Sequence, residues 1–180
     1  MGRYIAFLRG INVGGHTVKN DALKACFEEA GAEDVSTFIA SGNVIFRSSK
    51  KEATLEKQLS AQLKKTLGYD VATFVRTDAE VARIAGFDPF PKVKGNDKQT
   101  LHVGFLHAQP AKGARDAVAA LSGEPDHLRV DGRELYWLIE GGLTDSLVGD
   151  RAVLKALGAE TTLRNMKTLR RLADKFPPGE

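Results

Sequence analysis

A single cysteine, Cys26, excludes an intramolecular disulfide, and with it the disulfide-stapled scaffolds of small secreted proteins. Four scattered histidines and one cysteine give no structural zinc spacing. No apolar run approaches the roughly 18 residues that a membrane-spanning helix needs. The stretch before Arg9 is too short for a secretory signal and runs straight into that arginine, so a cytoplasmic protein is expected. A formal charge of only +3 is too small to diagnose nucleic-acid binding, although it permits a small anionic ligand.

What is present is ordinary for a globular chain. Of 180 residues, 42% are hydrophobic and 27% charged, which argues against disorder, collagen and a pure coiled coil. The charge is uneven. Residues 1–95 carry 14 basic and 11 acidic side chains, residues 96–160 carry 7 and 10, and residues 161–180 carry 5 and 2. The basic excess is therefore local to the N-terminal half and the C-terminal tail.

The apolar pattern alternates short strands with amphipathic helices. Residues 4–8 (YIAFL) form a strand, and a glycine-rich loop, RGINVGGHTVK, follows from Arg9 to Lys19. Asn20 is a suitable cap for a helix over 20–30 with Leu23 and Phe27 on one face. Cys26 falls in that pattern and reads as a packing residue. Residues 35–40 and 44–47 read as a hairpin around Ser41, Gly42 and Asn43. Leu55, Leu59, Leu63 and Leu67 mark a second helix, ended by Gly68, and residues 71–76 a fourth strand. Thr77 or Asp78 caps a short third helix.

Proline and glycine between residues 86 and 98 mark a linker, after which the order repeats. Strands are expected at 101–106, 128–130, 134–139 and 161–163, with helices at 111–121, 147–157 and 165–173. Both halves read β-α-β-β-α-β-α, the split-βαβ or ferredoxin-like pattern. The fold expected is α/β (α+β), with duplicated ferredoxin-like β-α-β-β-α-β units packed into one protein. The first unit is placed at 1–90, a linker at 91–99, the second unit at 100–176 and a tail at 177–180. A single mixed sheet is the competing arrangement. The junctions RTDAEVARIA, from Arg76, and RNMKTLRRLA, from Arg164, occupy matching positions in the two halves.

The glycine-rich loop carries most of the chemical interest. Gly10, Gly14 and Gly15 permit turns and close backbone approach. Arg9, Lys19 and exposed N–H groups can hold phosphate or carboxylate at the start of the next helix. The spacing G-x-x-x-G-G is neither of the two common phosphate-loop fingerprints. The plain alternative is a loop whose glycines only make turns. Asn43 can orient a ligand through its amide and Ser41 through its hydroxyl, or both can simply build a hairpin turn. His16 is a possible acid–base group. Arg164 can close an anion site, Asn165 is an N-cap, and Lys167, Arg170 and Arg171 form a basic face. Tyr136 and Trp137 point to opposite sheet faces, which leaves one of them open to stack on bases. No carboxylate pair, activated nucleophile or metal site is recognisable, so catalysis is left open and no cofactor is expected.

LRGINVGG at residues 8–15, Lys19 just after it, SGNVIF at 41–46, LHVGFL at 101–106 and RNMKT at 164–168 together resemble the domain-of-unknown-function 1697 family over almost the full length. The resemblance implies an α/β fold with ferredoxin-like features and no established activity, substrate or cofactor. Arg9, Asn12, Gly14, Gly15, Lys19, Ser41, Gly42, Asn43, Arg164 and Asn165 fall on its motifs. The chain departs from it at Met166, where the family usually has Trp, and at Ser146-Leu147, where it tends to have Ser-Lys-Leu. Both departures weaken a charged or stacking pocket completed by the C-terminal half. The functional expectation is a small anionic or phosphorylated ligand held by Arg9, Asn12, Gly14, Gly15 and Lys19, with Ser41, Asn43, Arg164 and Asn165 as further ligand-binding residues. A small transferase or hydrolase, and an RNA- or protein-interaction module, are the alternatives.

Overall fold

A computed structural model describes residues 1–12, 14–39 and 42–179. The described residues form two four-stranded antiparallel sheets and six α-helices. The first sheet is built from β1 (Gly2–Arg9), β2 (Glu33–Thr37), β3 (Asn43–Ser48) and β4 (Ala72–Thr77), in the order β2-β3-β1-β4. The second is built from β5 (Gln99–Phe105), β6 (His127–Asp131), β7 (Glu134–Glu140) and β8 (Thr162–Asn165), in the matching order β6-β7-β5-β8. Helices α1 (Asn20–Glu29), α2 (Glu52–Leu67) and α3 (Asp78–Gly86) belong to the first half. Helices α4 (Lys112–Ala120), α5 (Asp150–Leu157) and α6 (Met166–Lys175) belong to the second. Each half is thus a β-α-β-β-α-β unit followed by a helix, a duplicated ferredoxin-like arrangement. One compact unit comprises Met1–Ala85 with Arg170–Glu180, and the other Gly86–Leu169.

The register makes the duplication visible residue by residue. Ile5 faces Ile45 on β3 and Arg76 on β4, and Val103 faces Tyr136 on β7 and Arg164 on β8. Phe7 faces Asn43 and Phe74, and Phe105 faces Glu134 and Thr162. Each strand alternates between its two faces. In the first unit Ala6, Leu8, Val44, Phe46 and Val75 point to the helices and pack with Leu23, Phe27, Leu55, Leu59 and Leu63. In the second, Leu135, Trp137 and Ile139 pack with Val118, Val153 and Leu157. The four-residue leucine steps of α2 therefore do what their spacing implies.

The outer strands β4 and β8 are closed by side chains. On β4 the Val75 N–H donates to Glu56 Oε1 at 3.0 Å, and the Val75 carbonyl accepts from Arg76 Nη1 at 2.8 Å. On β8 the Leu163 carbonyl accepts from Arg164 Nη1 at 2.8 Å.

Several local expectations are corrected. Lys19, rather than Asn20, is the N-cap of α1. Its backbone is extended and its carbonyl accepts the Leu23 N–H at 3.0 Å. Helix α5 starts at Asp150 because the Ser146 hydroxyl accepts the N–H groups of Val148 and Gly149 at 3.2 and 3.1 Å and holds residues 146–149 in a turn. Tyr136 and Trp137 are both buried, so neither is an open platform for bases. The Trp137 indole donates to Asp126 Oδ1 at 2.9 Å, and the Leu147 N–H donates to Asp126 Oδ2 at 2.8 Å. Thr77 does cap α3, in a reciprocal box with Glu80.

Two outcomes test this packing. Gly104 is the counterpart of Ala6, but a Cβ there would meet Thr161 Oγ1 at 2.7 Å and Leu163 Cδ2 at 3.1 Å. Gly104→Ala should cost about 1–3 kcal/mol in urea unfolding, with partial recovery in the double variant Gly104→Ala/Thr161→Ala. Burial raises the Asp126 carboxyl, but hydrogen bonds from Trp137, Ser146 and the backbone of Leu147 and Val148 outweigh it. The net shift is downward from 3.8. Its stabilisation is thus present above the unfolded value and lost as pH falls through the lower folded one. Melting temperatures measured against pH should lose part of their acid limb in Asp126→Asn.

Candidate functional site

The glycine-rich loop leaves β1 at Arg9 and enters α1 at Lys19. Gly10, Gly14 and Gly15 have φ of 77°, 67° and 84°, the left-handed region that glycine enters without steric cost. The loop is held from inside by Asn12, whose Oδ1 accepts the Val18 N–H at 2.9 Å. It is held from outside by Tyr69, just after α2. The Tyr69 hydroxyl donates to the Ile11 carbonyl at 2.7 Å, and its ring stacks on His16 with centroids 4.3 Å apart. Ile11 is buried, so the loop is anchored at its base while Asn12, Gly14, Gly15, His16 and Lys19 are exposed. Lys19 places no side-chain cap on α1, and Asp21 supplies an acidic group in the first turn.

The β2–β3 connection joins β1 at the end of the sheet from which this loop leaves. The Leu8 N–H donates to the Gly42 carbonyl at 2.9 Å, and Asn43 is the register partner of Phe7. Alternation puts Arg9 and Asn43 on the same sheet face, opposite α1 and α2. Asn43 is buried, and its Nδ2 donates to the carbonyls of Phe38 at 3.0 Å and Ile39 at 3.3 Å. The Phe38 N–H donates back to the Asn43 carbonyl at 3.0 Å. Asn43 therefore pins the turn. Ile39 has φ of 44°, a costly conformation for a β-branched residue, and its ring-free side chain is exposed. Ser41 lies outside the described residues.

Arg164 and Asn165 belong to the second unit. Arg164 donates Nη1 to Thr162 Oγ1 at 2.9 Å as well as to the Leu163 carbonyl. Burial pushes its guanidinium down to about 10, so it keeps its charge at neutral pH. Asn165 Oδ1 accepts the Lys167 N–H at 2.8 Å and caps α6, as its residue type leads one to expect. Among the described residues, no group of three or more His, Cys, Asp or Glu side chains is placed to share a metal ion. No described helix is long and apolar enough to cross a membrane.

Sequence reasoning named the glycine loop and Asn43 but missed Tyr69, which clasps the loop from the end of α2. Its signal was slight, an aromatic directly after the helix-ending Gly68. It also missed the strain at Ile39, which residue type alone does not reveal.

The sequence matches the family described as "Protein of unknown function (DUF1697)" over residues 1–136. The chain belongs to that family. The matched span takes in the glycine-rich loop, the β2–β3 turn and Tyr69. Among solved structures the chain is similar to the conserved bacterial protein SP0830 from Streptococcus pneumoniae. That similarity has 19% sequence identity, a TM-score of 0.70 and coverage of 97% of this chain and 98% of that one. At that identity the likeness extends to the fold. No curated protein matches this member of the DUF1697 family.

The pin that Asn43 places on the β2–β3 turn is directly testable. In Asn43→Asp, carboxylate oxygens replace the amide donors that face the Phe38 and Ile39 carbonyls. The variant should lose about 2–3 kcal/mol in chemical denaturation. Amide exchange should accelerate first at the β2–β3 turn and at Leu8.

Proposed function

We propose that the first unit binds a small anionic ligand, a nucleotide or phosphorylated metabolite, through the loop between Arg9 and Lys19. The observation that carries this reading is the form of the loop. Three glycines with positive φ lie between two basic residues, and the base is clasped by Tyr69 while the tip is exposed. Glycines in this conformation let consecutive N–H groups turn toward one side, and such concave runs of N–H favour anions. The start of α1 adds the positive end of a helix dipole with no side-chain capping hydrogen bond. Asp21 opposes an anion there, so the basic residues and backbone donors must outweigh it. In this reading Asn12, Gly14 and Gly15 are the loop residues nearest the ligand, with Ser41 and Asn43 carried as further ligand-binding residues. Arg164 and Asn165 are carried in this reading as motif residues of the second unit. A cytoplasmic setting accords with Cys26 as a buried free thiol.

A second reading rests on α6. Lys167, Arg171 and Lys175 stand at four-residue steps and are exposed, and the cationic groups of Arg171 and Lys175 lie 5.8 and 5.4 Å from the Phe38 ring centre. Phe38 is itself buried and offers no face for stacking, so such a basic stripe would hold RNA through its phosphates. It predicts affinity that falls steeply with salt and is insensitive to Arg9.

Isothermal titration of the full chain against ATP, AMP and sugar phosphates separates the two. The loop reading expects saturable binding that Arg9→Ala and Lys19→Ala each weaken by about tenfold or more. An absence of binding across the panel overturns it.

A further inference from the structure

At the other end of β1 the first unit holds a cavity of about 240 Å³ whose walls include Arg3, Arg47, Asp34, Ser36, Ile45 and Phe176. Its most unusual feature is charge. Arg3 and Arg47 are direct cross-strand partners on the face opposite α1 and α2. Like charges in that relation repel, so a sheet carries them together only with counter-ions at hand. Arg3 has Asp78 at 3.7 Å, and its Nη1 donates to the Pro177 carbonyl at 2.7 Å. A guanidinium has five N–H donors, so this bond leaves most of them for other partners. Arg47 Nε has Asp34 at 3.4 Å.

The Asp34 contact is built to be exchanged. Its carboxylate is 78% exposed, and an ion pair so open to water is weak. Yet Asp34 is held at φ 50°, inside an irregularity where the β2–β3 register shifts between Glu33 and Ser36. Bulges of this kind re-aim a side chain. Here the re-aimed group is a carboxylate against the arginine of a cavity. The remaining wall is mixed: Ser36 offers a hydroxyl, while Ile45 and the ring of Phe176 are apolar. Phe176 is fixed edge-on to Phe38, with ring centres 6.1 Å apart.

We propose that this cavity binds a small organic carboxylate with an apolar body. The ligand carboxylate displaces Asp34 from Arg47 and lies between the guanidinium groups of Arg47 and Arg3, and the Ser36 hydroxyl donates to it. The apolar body lies on Ile45 and Phe176. The planar forks of two arginines suit a carboxylate, and the apolar wall disfavours a bare inorganic anion.

The test uses the full chain, with benzoate as the probe and inorganic phosphate as the comparison, read by amide chemical shifts. Benzoate should give saturable shifts at Ser36, Ile45, Arg47 and Phe176. Asp34→Asn keeps a residue that tolerates the same backbone and removes the competing carboxylate, so it should tighten benzoate binding several-fold. Arg47→Gln should weaken binding about tenfold, and Arg9→Ala, at the far end of the strand, should leave it unchanged. The assignment is overturned by shifts that never saturate, by an Asp34→Asn variant that binds no tighter than the parent, or by phosphate binding as tightly as benzoate at the same amides. Loss of benzoate binding in Arg9→Ala would instead place the probe in the glycine-rich loop and overturn the cavity as its site.

Discussion

The register of β1 is the constraint on which the first unit depends. Its eight residues pair with β3 on one side and β4 on the other, and the pairings Tyr4 with Phe46 and Thr77, and Phe7 with Asn43 and Phe74, assign each residue to a face. A slip by one residue would carry Ala6 and Leu8 away from the helices and put Ile5 and Phe7 in their place. It would also turn Arg3 and Arg9 over together. The helix-side core, the loop that leaves at Arg9 and the paired arginines at Arg3 are therefore set by a single alignment. The loop at one end of the strand and the paired arginines at the other are thus both tied to the packing of its middle.

The same alignment recurs in the second unit with different side chains. Arg164 stands where Arg76 stands, and each donates to the carbonyl of the residue before it. That bond survives the divergence of almost everything around it because an outer strand leaves carbonyls that need donors. Other equivalent positions have parted company. Asn43 corresponds to Glu134, both of them buried, and Ala6 to Gly104, where the Thr161 hydroxyl has taken the space of a methyl group. The halves keep a backbone plan in common while their polar residues have become different.

Element order was legible in the sequence because it rests on local chemistry. Leucines at four-residue steps, glycines at helix ends and alternating apolar residues need no distant partner to be read. Gly68 and Gly158 stop their helices in the left-handed conformation for the reason their residue type gives. Boundaries failed where a side chain from elsewhere in the local sequence intervened, as Ser146 does before α5. The exposed-aromatic expectation failed because a hydrogen bond from Trp137 to Asp126 lets the indole be buried, and alternation says nothing about partners. The glycine loop was visible as composition. The clasp by Tyr69 and the opposition of Arg3 to Arg47 were not, since each joins residues more than 40 positions apart.

The C-terminal segment ties itself to the beginning of the chain. Arg3 donates to the Pro177 carbonyl, the Gly179 N–H donates to Asp78 Oδ2 at 3.0 Å, and Arg170 Nε donates to the Ala85 carbonyl at 3.3 Å. The first unit is thus discontinuous in sequence, and the second is not. On a ribosome the order of emergence and the order of completion are then inverted. Residues 1–85 appear first but must wait for residues 170–179 before their last contacts exist, while the continuous second unit can finish in the interval.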